Sequence, residues 1–154
     1  MPGRRPIFLL LALSLWALSF CLPTLSGKNA SHGYQVFLLV FAAFPLAIVG
    51  APLHLLSWAT NFLFVGHALR LLRLEKAPQV LKPAIPAAAL LLNILVGIAF
   101  GTTGDVQGPR SLPGLLTHPG FYVWLSSFLF LVIAALREES LLYANTSAPV
   151  EPAA

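Results

Sequence analysis

Charged side chains are the scarcest component of this sequence. Asp, Glu, Lys and Arg make up 9% of it, against about 25% in an ordinary soluble domain. Four long stretches contain none: Pro6 to Gly27, Asn29 to Leu69, Pro83 to Gly104 and Ser111 to Leu136. Cysteine is also nearly absent, and the single Cys21 excludes an internal disulfide and any Cys-x-x-Cys redox pair, hence the chemistry of a quinone-linked thiol oxidase. Every Asp and Glu lies outside the charge-free stretches, so the embedded carboxylate that a small proton-coupled exporter uses is missing. Metal-ligand spacings such as His-x-x-x-His, His-Glu or Cys-x-x-Cys do not occur. No catalytic or nucleotide-binding motif stands out.

What remains is hydrophobic: 58% of the residues, with a mean hydropathy of +0.84. Each charge-free stretch can hold the ~20 apolar residues that cross a ~30 Å hydrocarbon core. Lipid offers the backbone no hydrogen bonds, so Leu- and Ala-rich segments of this kind span as helices. The 154 residues leave room for one helical bundle and no second domain. The expected fold is therefore an all-α, polytopic membrane protein with four transmembrane helices in residues 1–143, followed by a disordered tail at 144–154 that contains two prolines.

Orientation follows from the basic residues. Arg4 and Arg5 precede the first span, Arg70, Arg73, Lys76 and Lys82 separate the second from the third, and Arg137 follows the fourth; only Lys28 and Arg110 fall elsewhere. An even number of spans with both termini cytoplasmic puts seven of the nine basic residues inside, as the positive-inside tendency requires. The net charge of +4 is thus a topology signal rather than a nucleic-acid footprint, and no nucleic-acid partner is expected.

Two windows need interpretation. A single helix from Val36 to Leu69 would be about 51 Å long, too long for one crossing, and Pro45, Gly50 and Pro52 mark the place for a break. Tyr34 to Ile48 reads as a short interfacial or re-entrant helix on the outer side, before a second span from Leu53 to Arg73. The run Ile7 to Leu22 behind Arg4 and Arg5 also has the form of a signal peptide. Phe20 before Cys21 is too large for lipoprotein-type processing, which leaves a weak site ahead of Gly27, and retention as an anchor is expected. Pro119 suits the first turn of the last helix, which is expected to reach about Tyr143.

Polar and small residues within the spans are the candidate sites. His54, Ser57 and Asn61 recur at helical spacing and share a stripe; such a stripe faces protein, either hydrogen-bonded to neighbouring helices or lining a cavity. His67 lies off it and reads as an interfacial side chain. Ala89, Asn93, Gly97 and Gly101 recur every four residues, a small-residue face suited to close helix contact. Cys21, His32, His54, Asp105 and His118 all fall toward the outer side, a chemically suitable but unspaced set for a transition metal. His54 and His67 share one helix at different heights, which does not suit haem. Ser57, Ser126 and Ser127 are the available serines for intramembrane hydrolysis, a role outweighed by ordinary helix hydrogen bonding. The sequons at Asn29 and Asn145 read as accidental.

The segments Cys21-Leu22-Pro23, Leu56-Ser57-Trp58-Ala59-Thr60-Asn61 and Pro119-Gly120-Phe121-Tyr122-Val123-Trp124-Leu125-Ser126-Ser127 resemble those of an uncharacterised family of small four-span bacterial inner-membrane proteins. That family carries a Trp-Leu-Ala-Asn-Pro type segment and a Gly-Tyr-Trp-Leu-Trp-Leu-Ala-Ser type segment. Phe62 stands where the family often has proline. The resemblance implies a topology and a bacterial cytoplasmic membrane, conveys no activity, and singles out Asn61, Tyr122 and Trp124.

The sequence thus reads as an integral membrane protein without a cofactor, a non-enzymatic accessory or interaction component. Its partners are the lipid bilayer and either another membrane protein or a second copy of the chain. The competing class is a small-molecule or metal-binding membrane protein that uses the outer loops and the His54 to Asn61 stripe. Intact-mass measurement of the mature chain is expected to find Ile7 to Leu22 retained; a start at Gly27 would make the first span a signal peptide.

Overall fold

A computed structural model of the chain describes residues 6–25, 31–50, 52–72, 83–102 and 119–146. The described residues form helices α1 (Pro6–Cys21), α2 (Gly33–Ala42), α3 (Phe44–Gly50), α4 (Pro52–Leu72), α5 (Ala84–Thr102) and α6 (Pro119–Thr146). The one departure from helix is a ribbon between α1 and α2, in which β1 (Pro23–Leu25) pairs antiparallel with β2 (Ser31–His32), Pro23 opposite His32. Proline opens both long helices, at Pro52 and Pro119, where its missing N–H costs no helical bond.

Two helices are long and apolar enough to cross a membrane, over Leu55–Leu72 and Pro119–Ser140. Shorter apolar runs occupy α1 (Ile7–Cys21) and α5 (Ala84–Ile98). At 1.5 Å per residue the 16 residues of α1 extend about 24 Å and the 19 of α5 about 29 Å.

Between the ribbon and α4, the single helix expected over Tyr34 to Ile48 is two helices separated at Ala43. Ala43 N–H closes the last turn of α2 on Leu39 O at 2.9 Å. Pro45 then has no N–H to offer a further carbonyl of that helix, and the chain restarts as α3. At the other end, α6 continues to Thr146, three residues into the segment read as a disordered tail. Leu141 to Asn145 contain no helix breaker.

The helices alternate in direction. Phe8 of α1 lies beside Phe130 of α6, ring centroids 6.2 Å apart, and under the Arg137 guanidinium at 4.4 Å, whereas Trp16, two turns on, reaches the level of Trp124. These two helices are therefore antiparallel. α4 and α6 run the same way, with Asn61 meeting Trp124 and Phe64 meeting Phe128 at 5.1 Å. α5 runs against both, its Asn93 beside Thr60 and its Gly97 against Phe121. Going round the bundle the order is α1, α6, α5, α4, with α2 and α3 on the flank of α4.

Its apolar core is Leu9 and Ala12 of α1, Phe64, Ala68 and Leu71 of α4, Ala89 of α5, and Phe128, Leu131 and Ala134 of α6. The outer surface is apolar as well: Leu10, Leu18, Leu63, Leu69, Leu91, Leu95, Ile98, Leu129 and Leu136 are all exposed. Polar side chains go the other way, and Ser19, Thr60, Asn61, His67, Asn93 and Ser127 are buried. His67 corrects the sequence reading. It is 4% exposed because it stands seven residues from Thr60, two turns along the same inward-facing line of α4.

Ala89, Asn93 and Gly97 all face inward from α5; Gly101 is in its last turn. Gly97 is a point of close approach. A Cβ there would run into Phe121 Cζ and lie 3.1 Å from Cε1, so a side chain at residue 97 would require the Phe121 ring, which is itself buried, or the helix to shift. Gly97→Leu is expected to destabilise the bundle by about 1–3 kcal/mol, the cost of overpacking, while Leu95→Ile on the exposed face changes little. Unfolding of both variants in detergent checks this, and equal stabilities would remove the contact from the argument.

Candidate functional site: a buried polar junction between four helices

The helical spacing of α4 brings Ser57, Thr60, Asn61 and Phe64 to one side, at i, i+3, i+4 and i+7. Asn61 is the centre of what they build. Its Oδ1 accepts the indole N–H of Trp16 from α1 at 3.0 Å and that of Trp124 from α6 at 2.9 Å. Indole is a donor only, so both bonds must arrive at the amide oxygen, and its two lone pairs are then filled. The amide's other half is held too, since Nδ2 donates to Trp58 O at 3.0 Å within α4. One side chain thereby ties three helices.

The fourth helix joins one turn away. Ser57 Oγ donates to Asn93 Oδ1 of α5 at 2.9 Å, Asn93 Nδ2 donates to Thr60 Oγ1 at 3.0 Å, and Thr60 Oγ1 donates to Ser57 O at 2.6 Å. A hydroxyl has one proton. With that of Thr60 directed to Ser57 O, the three bonds close a ring in which the Asn93 and Thr60 side chains each donate and accept, while Ser57 donates through its hydroxyl and accepts at its backbone carbonyl. Asn93 and Thr60 are nearly inaccessible, at 0% and 2% exposure, so water does not substitute for these partners.

Aromatic rings seal the junction. Trp16 stacks on Phe64 at 5.5 Å with 12° between planes and meets Phe20 edge-on at 4.8 Å. Phe128 receives both Phe64 and Trp124 edge-on, at 5.1 and 5.4 Å. Ser19 and Ser127 return their hydroxyls to their own helices, donating to Trp16 O and Trp124 O at 2.6 Å each. Two buried groups have no partner among the described residues, Trp58 Nε1 and His67 Nε2.

The structure brings together Ser57, Asn61, Asn93 and Trp124 and leaves other candidates apart. Tyr122 points outward, 52% exposed, because it lies two residues from Trp124 and therefore on the other side of α6. His54 is in the first turn of α4, seven residues and about 10 Å along the axis from Asn61. Of the metal-type set, Cys21 is exposed at the end of α1 and His32 precedes α2 with its N–H donating to Gln35 Oε1 at 2.9 Å. Asp105 and His118 lie outside the described residues. Among the described residues no three His, Cys, Asp or Glu side chains are grouped as a metal site would need.

Sequence reasoning passed over Trp16 and Thr60. The signal for Thr60 was its place three residues after Ser57; that for Trp16 was a tryptophan inside an apolar helix, whose buried N–H needs an acceptor.

The chemical capacity of the junction is cohesive. Its serines donate to an amide or to backbone carbonyls rather than to a base, so none is activated as a nucleophile. The class defined by fold and site is a helical bundle with a hydrogen-bonded interior and an apolar exterior. Comparison with protein-family models, with curated proteins and with solved structures finds no significant match.

Asn61→Leu strands two indole N–H groups. An unmet buried donor costs about 1–3 kcal/mol in water-soluble proteins but interhelical bonds in membranes average only about 0.6 kcal/mol, so a combined loss of about 1–3 kcal/mol is expected. Adding Trp16→Phe and Trp124→Phe to Asn61→Leu removes the stranded donors and should cost less than the three single changes summed. Detergent unfolding of the four variants measures this; strict additivity would mean the indoles and the amide are not coupled.

Proposed function

We propose that this protein is a four-span, multi-pass component of a bacterial cytoplasmic membrane, with both termini cytoplasmic, and that it works as a non-enzymatic accessory or interaction component. The observation that carries the membrane reading is the partition of side chains. Leu, Ile and Phe are exposed on the outside of the helices while Ser19, Thr60, Asn61, His67, Asn93 and Ser127 are buried, an arrangement stable against hydrocarbon and costly against water. Short helices such as α1 fit by local thinning of the bilayer at modest cost.

The alternating helix directions support an even number of crossings. Arg70 is in the last turn of α4, and Arg137, nine residues before the end of α6, lies beside the start of α1, so both cations lie toward one end of the bundle, which the positive-inside tendency assigns to the cytoplasm. The bacterial assignment draws on the resemblance of the Ser57 to Asn61 and Phe121 to Ser127 segments to the small four-span family. The non-enzymatic part draws on the junction, whose amides and hydroxyls are engaged in holding helices. Asn61 Oδ1 already holds two indole donors and the Ser57 hydroxyl is committed to Asn93, so these two members of the stripe have little left to offer a ligand, which disfavours the small-molecule alternative.

Reporter fusions test the topology. Fusions after Lys76 and Arg137 are expected to report cytoplasm, and those after Lys28 and Arg110 the outer side. A periplasmic Lys76 would overturn the four-span arrangement.

A further inference from the structure

The chain from Val36 to Leu53 contains no polar side chain at all, and no residue of α2 is fully buried, with Val36, Phe37 and Val40 half-buried. Leu38, Leu39 and Phe41 of α2 and Ile48 and Val49 of α3 are exposed, Leu39 at 65% and Val49 at 87%. A helix that lies along a membrane surface keeps a charged or polar face toward water. Beyond Tyr34 and Gln35 in the first turn of α2, this pair of helices has none to present.

Its position argues the same way. The ribbon brings the chain back beside the end of α1, where Gly33 N–H donates to Leu22 O at 3.1 Å. A Cβ on Gly33 would lie 2.5 Å from Ser19 O and 2.9 Å from Phe20 Cα, so only glycine lets α2 start against the last turn of α1. From there Phe37 meets Phe20 at 5.5 Å, Trp58 at 5.2 Å and Phe62 at 6.2 Å. The apolar window of α4 begins at Leu55, and Phe62, seven residues on, is about 10 Å deeper. That is about a third of a ~30 Å core. Phe41, at the end of α2, and Phe44, at the start of α3, pack on the same ring, at 6.1 and 6.4 Å from Trp58.

We propose that α2 and α3 form a re-entrant hairpin seated within the acyl region of the outer leaflet, clasping Trp58 on one side and covered by lipid acyl chains on the other. The inference rests on the membrane reading. Hydrocarbon is the occupant that matches a surface without a hydrogen-bonding side chain, because a water interface would strand exposed Leu, Phe, Ile and Val, and a specific protein partner would be met by no polar rim.

Spin labels test it on the full chain reconstituted in phosphatidylcholine/phosphatidylglycerol vesicles. Leu39→Cys and Val49→Cys are made in a Cys21→Ser background, with Leu95→Cys on α5 as the reference for lipid contact. Oxygen concentrates in the acyl region and a nickel chelate in water. Labels at 39 and 49 are expected to relax strongly with oxygen and weakly with nickel, within about twofold of the label at 95. Strong nickel relaxation at 39 and 49 but not at 95 would put the hairpin at the water interface and overturn the proposal alone. Weak relaxation by both reagents at 39 and 49 would mean a protein covers the face, and also overturns it. Strong nickel relaxation at 95 would instead bring down the membrane reading.

Discussion

The arrangement of this bundle depends on one carbonyl oxygen. Asn61 Oδ1 receives indole N–H groups from α1 and α6 at 3.0 and 2.9 Å, and because a carbonyl has two lone pairs, two donors are what it can take. On the membrane reading proposed above, lipid supplies little of the hydrophobic drive that assembles a soluble core, since acyl chains are as apolar as Leu. Relative rotation and register of the helices must then come from directional contacts. Three helices cannot rotate independently while their side chains converge on one amide, and α5 is brought into the same register one turn away by Asn93 between Ser57 and Thr60. The close approach at Gly97 and Phe121 sets the separation that those bonds need.

Legibility from sequence divides along the same physical line. Charge-free windows and prolines locate helices well, because insertion depends on composition and on backbone hydrogen bonds; Pro52 and Pro119 begin α4 and α6. Which face of a helix turns inward is harder, since a helix that is apolar on both its lipid and protein sides has almost no periodic signal. Only polar or missing side chains break the degeneracy. Ser57, Asn61, Asn93 and Gly97 could be singled out for that reason, and Thr60 belongs with them by spacing. Their pairing could not be read, because a donor and its acceptor are separated by 33 to 63 residues. His67 was misread for a related reason: position near a helix end suggests an interface, whereas burial depends on rotation about the axis. The ribbon at Pro23 to His32 escaped because so short a pairing leaves no alternation to detect.

Polar groups are unevenly distributed along the bundle. The junction lies in the N-terminal half of α4, where Ser57, Thr60 and Asn61 are all partnered, while His67 two turns on keeps an Nε2 without a partner among the described residues in a buried position. Toward the other end of the bundle the packing is instead Phe8 against Phe130 and Arg137 over the Phe8 ring. A guanidinium is weakly hydrated and can lie flat on an aromatic face. The end of the bundle that holds Asn61 is thus fixed by hydrogen bonds and the opposite end by aliphatic and aromatic contact.

That division bears on which part of the molecule can move. Hydrogen bonds to a saturated amide have one geometry, so a shift at Asn61 costs two bonds together, whereas aliphatic contacts among Leu9, Leu71, Leu131 and Ala134 exchange at little cost if volume is conserved. Relative helix motion should therefore concentrate at the end of the bundle that holds Leu9, Leu71 and Leu131, away from the junction. The flank of α4 behaves differently again, because α2 and α3 hold Trp58 by ring contact alone and its Nε1 has no acceptor among the described residues. Without a directional bond, that ring fixes the depth of the two short helices less strictly than Asn61 fixes the rotation of α1 and α6. The firm core of the protein is consequently the four-helix junction, and its flank is the more adaptable surface.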